Sequence, residues 1–91
     1  MKILKFNAVW CSGCLVMKKT IKEIKELYPE IEFIDYDYDL DEQEVEKWNV
    51  GTLIPVMIFL NEEGKEISRL NGEKSKKEIV KVIEELRNEK N

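Results

Sequence analysis

Two cysteines, Cys11 and Cys14, are the residues of this chain whose type and spacing could do chemistry. Only Ser12 and Gly13 separate them. When such a pair lies on one helical turn, its sulfur atoms come within bonding distance, so they can alternate between two thiols and a disulfide without large backbone movement. Close cysteines can also bind a metal ion. The pair by itself therefore leaves redox chemistry and metal binding both open.

The composition excludes several other kinds of site. The 91 residues contain no histidine, which removes Cys–His and Ser–His catalysis, zinc sites with histidine ligands and haem bound by histidine. Two cysteines cannot build a disulfide framework or a four-cysteine metal site within one chain. The net charge of −4 and the pI near 5.0 argue against a nucleic-acid-binding protein.

Chain length and the N-terminal residues predict a single domain, residues 1–91, located in the cytoplasm. Apolar residues form 43% of the sequence, which is enough for one compact core. No segment has the roughly 18 apolar residues that span a membrane, and Lys5 interrupts the short apolar start, unlike a secretory signal. If the chain is complete, we expect it to stay in the cytoplasm, where a close cysteine pair is more often catalytic or metal-binding than structural.

Apolar periodicity predicts seven elements in the order β-α-β-α-β-β-α. Strands are expected over residues 3–9, 31–39, 56–60 and 65–70, and helices over 12–28, 41–48 and 75–87. A helix joining the first two strands implies a parallel, right-handed crossover. The last two strands should form an antiparallel hairpin with Gly64 at positive φ in its turn. These features predict an α/β fold with one mixed sheet.

Two helix starts are predicted from capping boxes, in which Ser or Asp is followed three residues later by Glu. These pairs are Asp41 with Glu44 and Ser75 with Glu78. Leu40 and Val45 could add a hydrophobic staple to the first of them. The cysteines lie at a third start, where the first strand gives way to the first helix.

A helix N-terminus offers unpaired N–H groups and a partial positive charge, so it stabilises an anion. We therefore expect Cys11 to be the exposed, reactive cysteine with a lowered pKa, and Cys14 to be protected. Trp10 would shield the exposed sulfur with an apolar surface, and Gly13 would relieve crowding in the small loop.

The sequence resembles the thioredoxin family at three places. Trp10-Cys11-Ser12-Gly13-Cys14 lies at a strand-to-helix junction, Ile54-Pro55 opens a buried strand, and Gly72 precedes the last helix. The resemblance covers nearly the whole chain. It implies a thioredoxin-like fold with a four-stranded mixed sheet flanked by helices, in a minimal form without the N-terminal strand and helix that such proteins usually carry.

The resemblance also implies roles for individual residues. Cys11 would be the attacking thiolate and Cys14 the resolving thiol. Pro55 would follow a cis peptide bond and face the sulfurs, Ile54 would offer its backbone to a substrate peptide, and Gly72 would leave room beside that groove. No metal or bound cofactor is expected besides the redox-active disulfide itself.

Taken together, the residues and the resemblance predict a monomeric thiol–disulfide oxidoreductase. It would reduce disulfides of protein substrates, taking electrons from a thioredoxin reductase or a small thiol, and so act in electron transport and cell redox homeostasis. We expect no nucleic-acid or membrane partner.

Two positions depart from the usual pattern of that family. Ser-Gly replaces the common Gly-Pro between the cysteines, which leaves the redox potential open. Lys5 stands where such proteins usually carry a buried aspartate. A buried lysine needs a partner, and the neighbouring strand supplies Asp35. We therefore expect Lys5 and Asp35 to pair beneath Cys14, where the cation would favour the Cys14 thiolate and the reduced form. Alternatively, the Lys5 amine could reach solvent.

Two other functions stay open from the sequence. A glutaredoxin-like reductase would use glutathione, although Ser-Gly between the cysteines and a single Gly72 are unlike that group. A thioredoxin-fold adaptor could instead bind metal, with two chains sharing one four-cysteine zinc site.

Trp48 is expected to pack against the core. The acidic run Asp35, Asp37, Asp39 and Asp41 lacks the glycine and final glutamate of a calcium-binding loop, so a solvated strand edge is expected apart from Asp35.

Overall fold

All seven predicted elements are present in the computed structural model, which describes residues 1–88. The strands are β1 (Lys2–Asn7), β2 (Glu32–Asp37), β3 (Val56–Leu60) and β4 (Glu66–Asn71). The helices are α1 (Ser12–Leu27), α2 (Glu42–Lys47) and α3 (Lys76–Asn88). Within residues 1–88, none of these helices combines the length and the apolar character needed to cross a membrane.

One four-stranded mixed sheet, in the order β2-β1-β3-β4, organises the molecule. β1 and β2 are parallel, as the intervening α1 predicted, and β3 pairs antiparallel with both β1 and β4. The five residues of β3 are all buried, in keeping with their unbroken apolar sequence and central place. Gly64 has φ +82° in the β3–β4 turn, as predicted.

Two apolar clusters cover the two faces of the sheet. The first joins the buried stripes of α1 and α3 to Ile3, Met57 and Phe59 of the sheet. The second lies on the other face and contains both cysteines; partly buried Val45 and Trp48 pack against it. The packing role predicted for Trp48 is therefore confirmed.

The capping boxes predicted at the starts of α3 and α2 have different outcomes. At α3 the capping box is confirmed, because Glu78 N–H donates to Ser75 Oγ at 3.2 Å and Ser75 N–H donates to the Glu78 carboxylate at 2.9 Å. At α2 the predicted box is wrong, since the side chain of Asp41 makes no capping hydrogen bond. Its carboxylate accepts instead from the backbone of Asp37 at 2.7 Å.

The hydrophobic staple predicted before α2 is also wrong, because Leu40 is 83% exposed. β2 ends at Asp37, two residues earlier than expected. There the Asp37 carboxylate accepts hydrogen bonds from the N–H groups of Asp39 and Leu40, which turns the chain out of the sheet. This turn brings Asp39 towards the cysteine loop.

Candidate active site

Cys11 is the N-cap residue of α1. Its backbone is extended, with φ −89° and ψ 109°, and its Sγ accepts a hydrogen bond from the backbone N–H of Cys14 at 3.2 Å. A thiolate at Sγ would gain from this N–H donor and from the positive end of a 16-residue helix. The first cysteine therefore lies where the strand-to-helix junction predicted it.

Cys14 lies in the first turn of α1 and holds its proton more tightly than an ordinary cysteine. Burial is the main reason that its pKa rises to about 11, and hydrogen bonding to the Cys11 side chain adds to the rise. The backbone of Ala8 and the Lys5 ammonium act in the opposite direction, Lys5 least of all. At neutral pH Cys14 is therefore a thiol.

The two cysteines do not differ in exposure, contrary to the prediction that Cys11 alone is exposed. Cys11 is 6% exposed and Cys14 is 7% exposed, and both are free thiols. Cys11 is covered because its thiol packs against the loop before β3 and donates a long hydrogen bond to the Ile54 carbonyl at 3.7 Å. What distinguishes the two sulfurs is their hydrogen bonding and charge environment.

Ile54 and Pro55 form the opposite wall of the site. The peptide bond between them is cis, as the resemblance implied, and the Ile54 carbonyl faces Cys11. A β-carbon added at Gly13 would lie 3.4 Å from Pro55 Cδ. This is an ordinary contact distance, so the proline ring lies directly against the first turn of α1.

Gly72 lies beside the same wall, where its N–H donates to the Pro55 carbonyl at 2.8 Å. Its φ is +87°, a conformation that other residues adopt only with strain. A β-carbon there would meet the Leu53 side chain at 3.5 Å, an ordinary contact. Backbone conformation, rather than the need for room that the sequence suggested, is therefore what favours glycine.

Trp10 is 60% exposed next to the cysteine loop, and its orientation is fixed by two contacts. Its indole Nε1 donates to Asp39 Oδ2 at 2.7 Å, and its ring meets Tyr38 edge-on with centroids 6.2 Å apart. The sequence interpretation placed Asp39 on a solvated edge and missed this contact. The turn residues that end β2 were its only signal.

Lys5 and Asp35 are register partners on β1 and β2, and their charged groups pair at 3.1 Å. The Lys5 side chain is 12% exposed and that of Asp35 is 53% exposed. Asn7 Nδ2 also donates to Asp35 Oδ1 at 3.4 Å. The predicted pairing is confirmed. The alternative, in which the Lys5 amine extends into solvent without a partner, is wrong.

A cavity of about 680 Å³ opens beside Cys14, between α1 and the β2 edge. Its lining includes Cys14, Lys5 and Asp35, together with the α1 lysines Lys18, Lys22 and Lys25. Lys5 and Cys14 thus border the same space, which agrees with the electrostatic effect of the ammonium on the thiol. The cavity connects the Cys14 side of the loop to solvent.

Ser12 is the first residue of α1 and its side chain is exposed. Within residues 1–88, no three His, Cys, Asp or Glu side chains are grouped so as to hold a metal ion. The arrangement of the two cysteines suits nucleophilic sulfur chemistry. One thiol accepts an N–H hydrogen bond at a helix N-terminus, and a second lies one turn away and keeps its proton.

Comparison with known proteins agrees with this geometry. The family model for Thioredoxin matches residues 1–85. The chain is 35% identical over 85 residues to thioredoxin H7 of Arabidopsis thaliana, covering 93% of this chain and 64% of that protein. It is 33% identical over 83 residues to the thioredoxin of Ophiophagus hannah, covering 89% of this chain and 78% of the relative. The chain thus spans less than two thirds of the plant relative.

Solved structures agree as well. Fasciola hepatica thioredoxin superposes with a TM-score of 0.84 at 27% identity, covering 92% of this chain and 78% of that one. The thioredoxin NaTrxh of Nicotiana alata gives a TM-score of 0.84 at 28% identity, covering 92% of this chain and 70% of its own. With its cysteine pair at the start of α1 and its mixed sheet, the chain belongs to the thioredoxin family.

Proposed function

We propose that this chain is a thiol–disulfide oxidoreductase that reduces protein disulfides through a cycle of Cys11 and Cys14. The observation that carries the proposal is the asymmetry of the two sulfurs. Cys11 Sγ accepts the Cys14 N–H at the start of α1, while burial keeps the proton on Cys14. Membership of the thioredoxin family supports the same assignment.

The reaction has two exchange steps. In the first, the Cys11 thiolate attacks one sulfur of a substrate disulfide, a Cys11–substrate bond forms, and the other substrate sulfur leaves as a thiolate. In the second, Cys14 loses its proton and attacks Cys11 Sγ. The substrate then leaves as its second thiolate, and Cys11–Cys14 becomes the disulfide. The protein loses two electrons and the substrate gains them.

The substrate lies along the wall that faces Cys11. An extended peptide can add to an exposed backbone edge through main-chain hydrogen bonds. Ile54 supplies that edge next to the sulfur, with Pro55 and Gly72 behind it. Trp10 borders the same site with a surface held in place by Asp39. Ser12 and Gly13 form the tight loop that keeps the two sulfurs one turn apart.

Lys5 and Asp35 act on the second step. Since Cys14 must lose a proton before it attacks, the nearby ammonium of Lys5 lowers the cost of forming its thiolate. We propose that water entering the cavity lined by both groups accepts the proton. Because the pKa of Cys14 stays at about 11, the thiol dominates at neutral pH. We therefore expect Lys5 to change the rate of the second step more than the reduction potential at that pH.

The oxidised protein needs two electrons to return to the dithiol. We propose a thioredoxin reductase or a small thiol as their source, with no cofactor other than the cysteine pair. We also propose a monomer that works in the cytoplasm, with proteins containing disulfides as substrates and no nucleic-acid or membrane partner.

Insulin reduction tests the function directly. With dithiothreitol as reductant, the protein should accelerate precipitation of the insulin B chain, and Cys11→Ser should abolish the acceleration. Once dithiothreitol is removed, reduced Cys14→Ser should instead accumulate a mixed disulfide between Cys11 and insulin, because neither Cys14 nor an external thiol can resolve it. No acceleration by the unaltered protein, together with stoichiometric zinc in a dimer, would replace the proposal with a metal-binding module.

A second assay identifies the electron source. The protein is oxidised and then supplied either with NADPH and a thioredoxin reductase or with NADPH, glutathione and glutathione reductase. Faster NADPH oxidation in the first mixture supports a thioredoxin-type cycle. Turnover confined to the second mixture supports the glutaredoxin-like alternative.

A further inference from the structure

Glu73 stands at the edge of the site, in the loop between β4 and α3. A β-carbon added at Gly13 would lie 3.4 Å from its Oε1 and 3.5 Å from its Cβ, and 3.4 Å from Pro55 Cδ. The Glu73 side chain therefore lies across the first turn of α1, next to the proline.

Among residues 1–88, no ion pair or hydrogen bond involves the Glu73 carboxylate, and the residue is exposed. The nearby lysines are engaged elsewhere: Lys74 interacts with Glu78, and Lys76 pairs with Glu23 at 3.6 Å. The negative charge is therefore available to whatever occupies the groove.

A second carboxylate also lies near the cysteine loop. Asp39 accepts the indole N–H of Trp10, the residue that precedes Cys11, so its position is fixed by that hydrogen bond. The α1 lysines Lys18, Lys22 and Lys25 line the cavity beside Cys14. A peptide that reaches Cys11 along Ile54 and Pro55 thus lies next to Glu73, whose carboxylate has no partner within residues 1–88.

We propose that Glu73 is a specificity-determining residue that favours disulfides flanked by lysine or arginine. This inference rests on the proposed function, because it concerns the substrate of the Cys11 attack. Opposite charges across a forming interface raise the association rate and suppress partners of like charge. The charge on Glu73 lies within the screening length of a peptide bound beside Pro55, about 10 Å at 0.1 M salt, so its effect falls as salt is added.

The test compares two synthetic peptides, each a disulfide-linked homodimer with one cysteine per strand. One carries lysines beside the cysteine and the other carries glutamates; a glutamine version serves as neutral reference. Reduced protein is mixed with each, and the initial rate of free peptide release is measured by chromatography. The ratio of the lysine rate to the glutamate rate, compared between protein variants, cancels the intrinsic reactivity of the peptides.

The unaltered protein should prefer the lysine peptide, and Glu73→Gln should reduce the rate ratio by about three- to fivefold, the scale of an exposed charge pair. Glu73→Lys should lower it further. Glu85→Gln is the matched control, because it makes the same change in net charge on α3, away from the cysteine loop, and should leave the ratio unchanged. The effect of Glu73→Gln should shrink at about 0.5 M salt.

An unchanged ratio in Glu73→Gln, with both peptides still reduced, would overturn the inference and leave the proposed function standing. An equal fall in Glu73→Gln and Glu85→Gln would also overturn it, since the preference would then come from net charge. If the unaltered protein reduces none of the three peptides and no insulin, both proposals fail together.

Discussion

The sheet face under α1 has two ends that differ sharply. At the apolar end, Ile3 is fully buried between its register partners Phe33 and Phe59, and α1 and α3 cover it. Two residues along the same strand, at the Cys14 end, Lys5 pairs with Asp35 and borders the cavity shared with Cys14. One strand and one helix thus serve a closed core and a polar site.

This difference separates what stabilises the fold from what serves the chemistry. Buried apolar side chains contribute stability in proportion to the surface they remove from water. A partly buried ion pair contributes little, because the loss of hydration offsets the attraction. We therefore expect substitutions at the apolar end to change the free energy of unfolding, and substitutions at the Cys14 end to change the reactivity of the cysteines.

The largest effect is expected at the apolar end. Ile83 of α3 is fully buried there, so Ile83→Ala should lower the free energy of unfolding by about 2–5 kcal/mol, as measured by urea denaturation. Insulin reduction per folded molecule should be unchanged. Lys81→Ala, at an exposed position of the same helix, is the control and should shift stability by less than about 0.5 kcal/mol. A loss of activity in the folded Ile83→Ala protein would contradict the separation of the two ends.

Lys5→Met should have the opposite effect, with little change in stability and a slower second exchange step. Stability should change by no more than about 1 kcal/mol, because methionine can fill the space and Asp35 is half exposed. Loss of the ammonium should raise the pKa of Cys14 further and slow the second exchange step about two- to fivefold. The decay of a preformed mixed disulfide, followed by rapid quenching, measures that step.

Lys2→Met is the matched control, since Lys2 lies on the same strand and pairs with Glu32 at 3.9 Å, far from the cysteines. It should leave the second step unchanged. If Lys5→Met and Lys2→Met give the same rate for the second step, the Lys5 ammonium has no effect on the reactivity of Cys14.

Asp35→Asn should have a smaller effect at the Cys14 end of the sheet. Removing the carboxylate leaves the Lys5 ammonium unneutralised, which should lower the pKa of Cys14 and quicken the second step modestly. Stability should fall by about 1 kcal/mol or less. Glu32→Gln, which removes the partner of Lys2, is the control. A slower second step in Asp35→Asn would mean that the carboxylate itself takes the proton.

The smallest effect concerns pH. Folding raises the pKa of Cys14 from 9.0 to about 11, chiefly by burial, so the folded reduced protein binds that proton more tightly than the unfolded chain does. Its contribution to stability is complete below about pH 9 and is lost as pH rises towards 11. Urea midpoints of the reduced protein should therefore fall between about pH 9 and pH 11. The Cys14→Ser variant should show a smaller fall.

Local patterns predicted much of this molecule. Hydrophobic stripes gave α1 and α3 to within a residue or two, and the Ser75–Glu78 capping box formed as expected. Even the Lys5–Asp35 pair could be inferred, because a helix between two strands implies parallel neighbours and fixes which side chains share a face.

Other features depend on contacts between distant segments. Asp41 looked like a helix cap, yet its carboxylate binds the backbone that ends β2. The burial of Cys11 comes from the loop at Ile54, 43 residues away in sequence. The hydrogen bond from Trp10 to Asp39 and the position of Glu73 also depend on contacts between segments that are distant in sequence. No local propensity encodes such approaches, because tertiary packing brings the segments together.

Alkylation of the reduced protein tests most directly the claim that the two sulfurs are chemically unequal despite equal burial. At about pH 7, substoichiometric iodoacetamide should label Cys11 alone, located by mass spectrometry of the digested protein, because burial raises the pKa of Cys14 to about 11 and keeps it protonated at neutral pH. Labelling of Cys14 should appear only as the pH approaches that value. Equal labelling of both cysteines at neutral pH, or labelling of Cys14 first, would contradict the account.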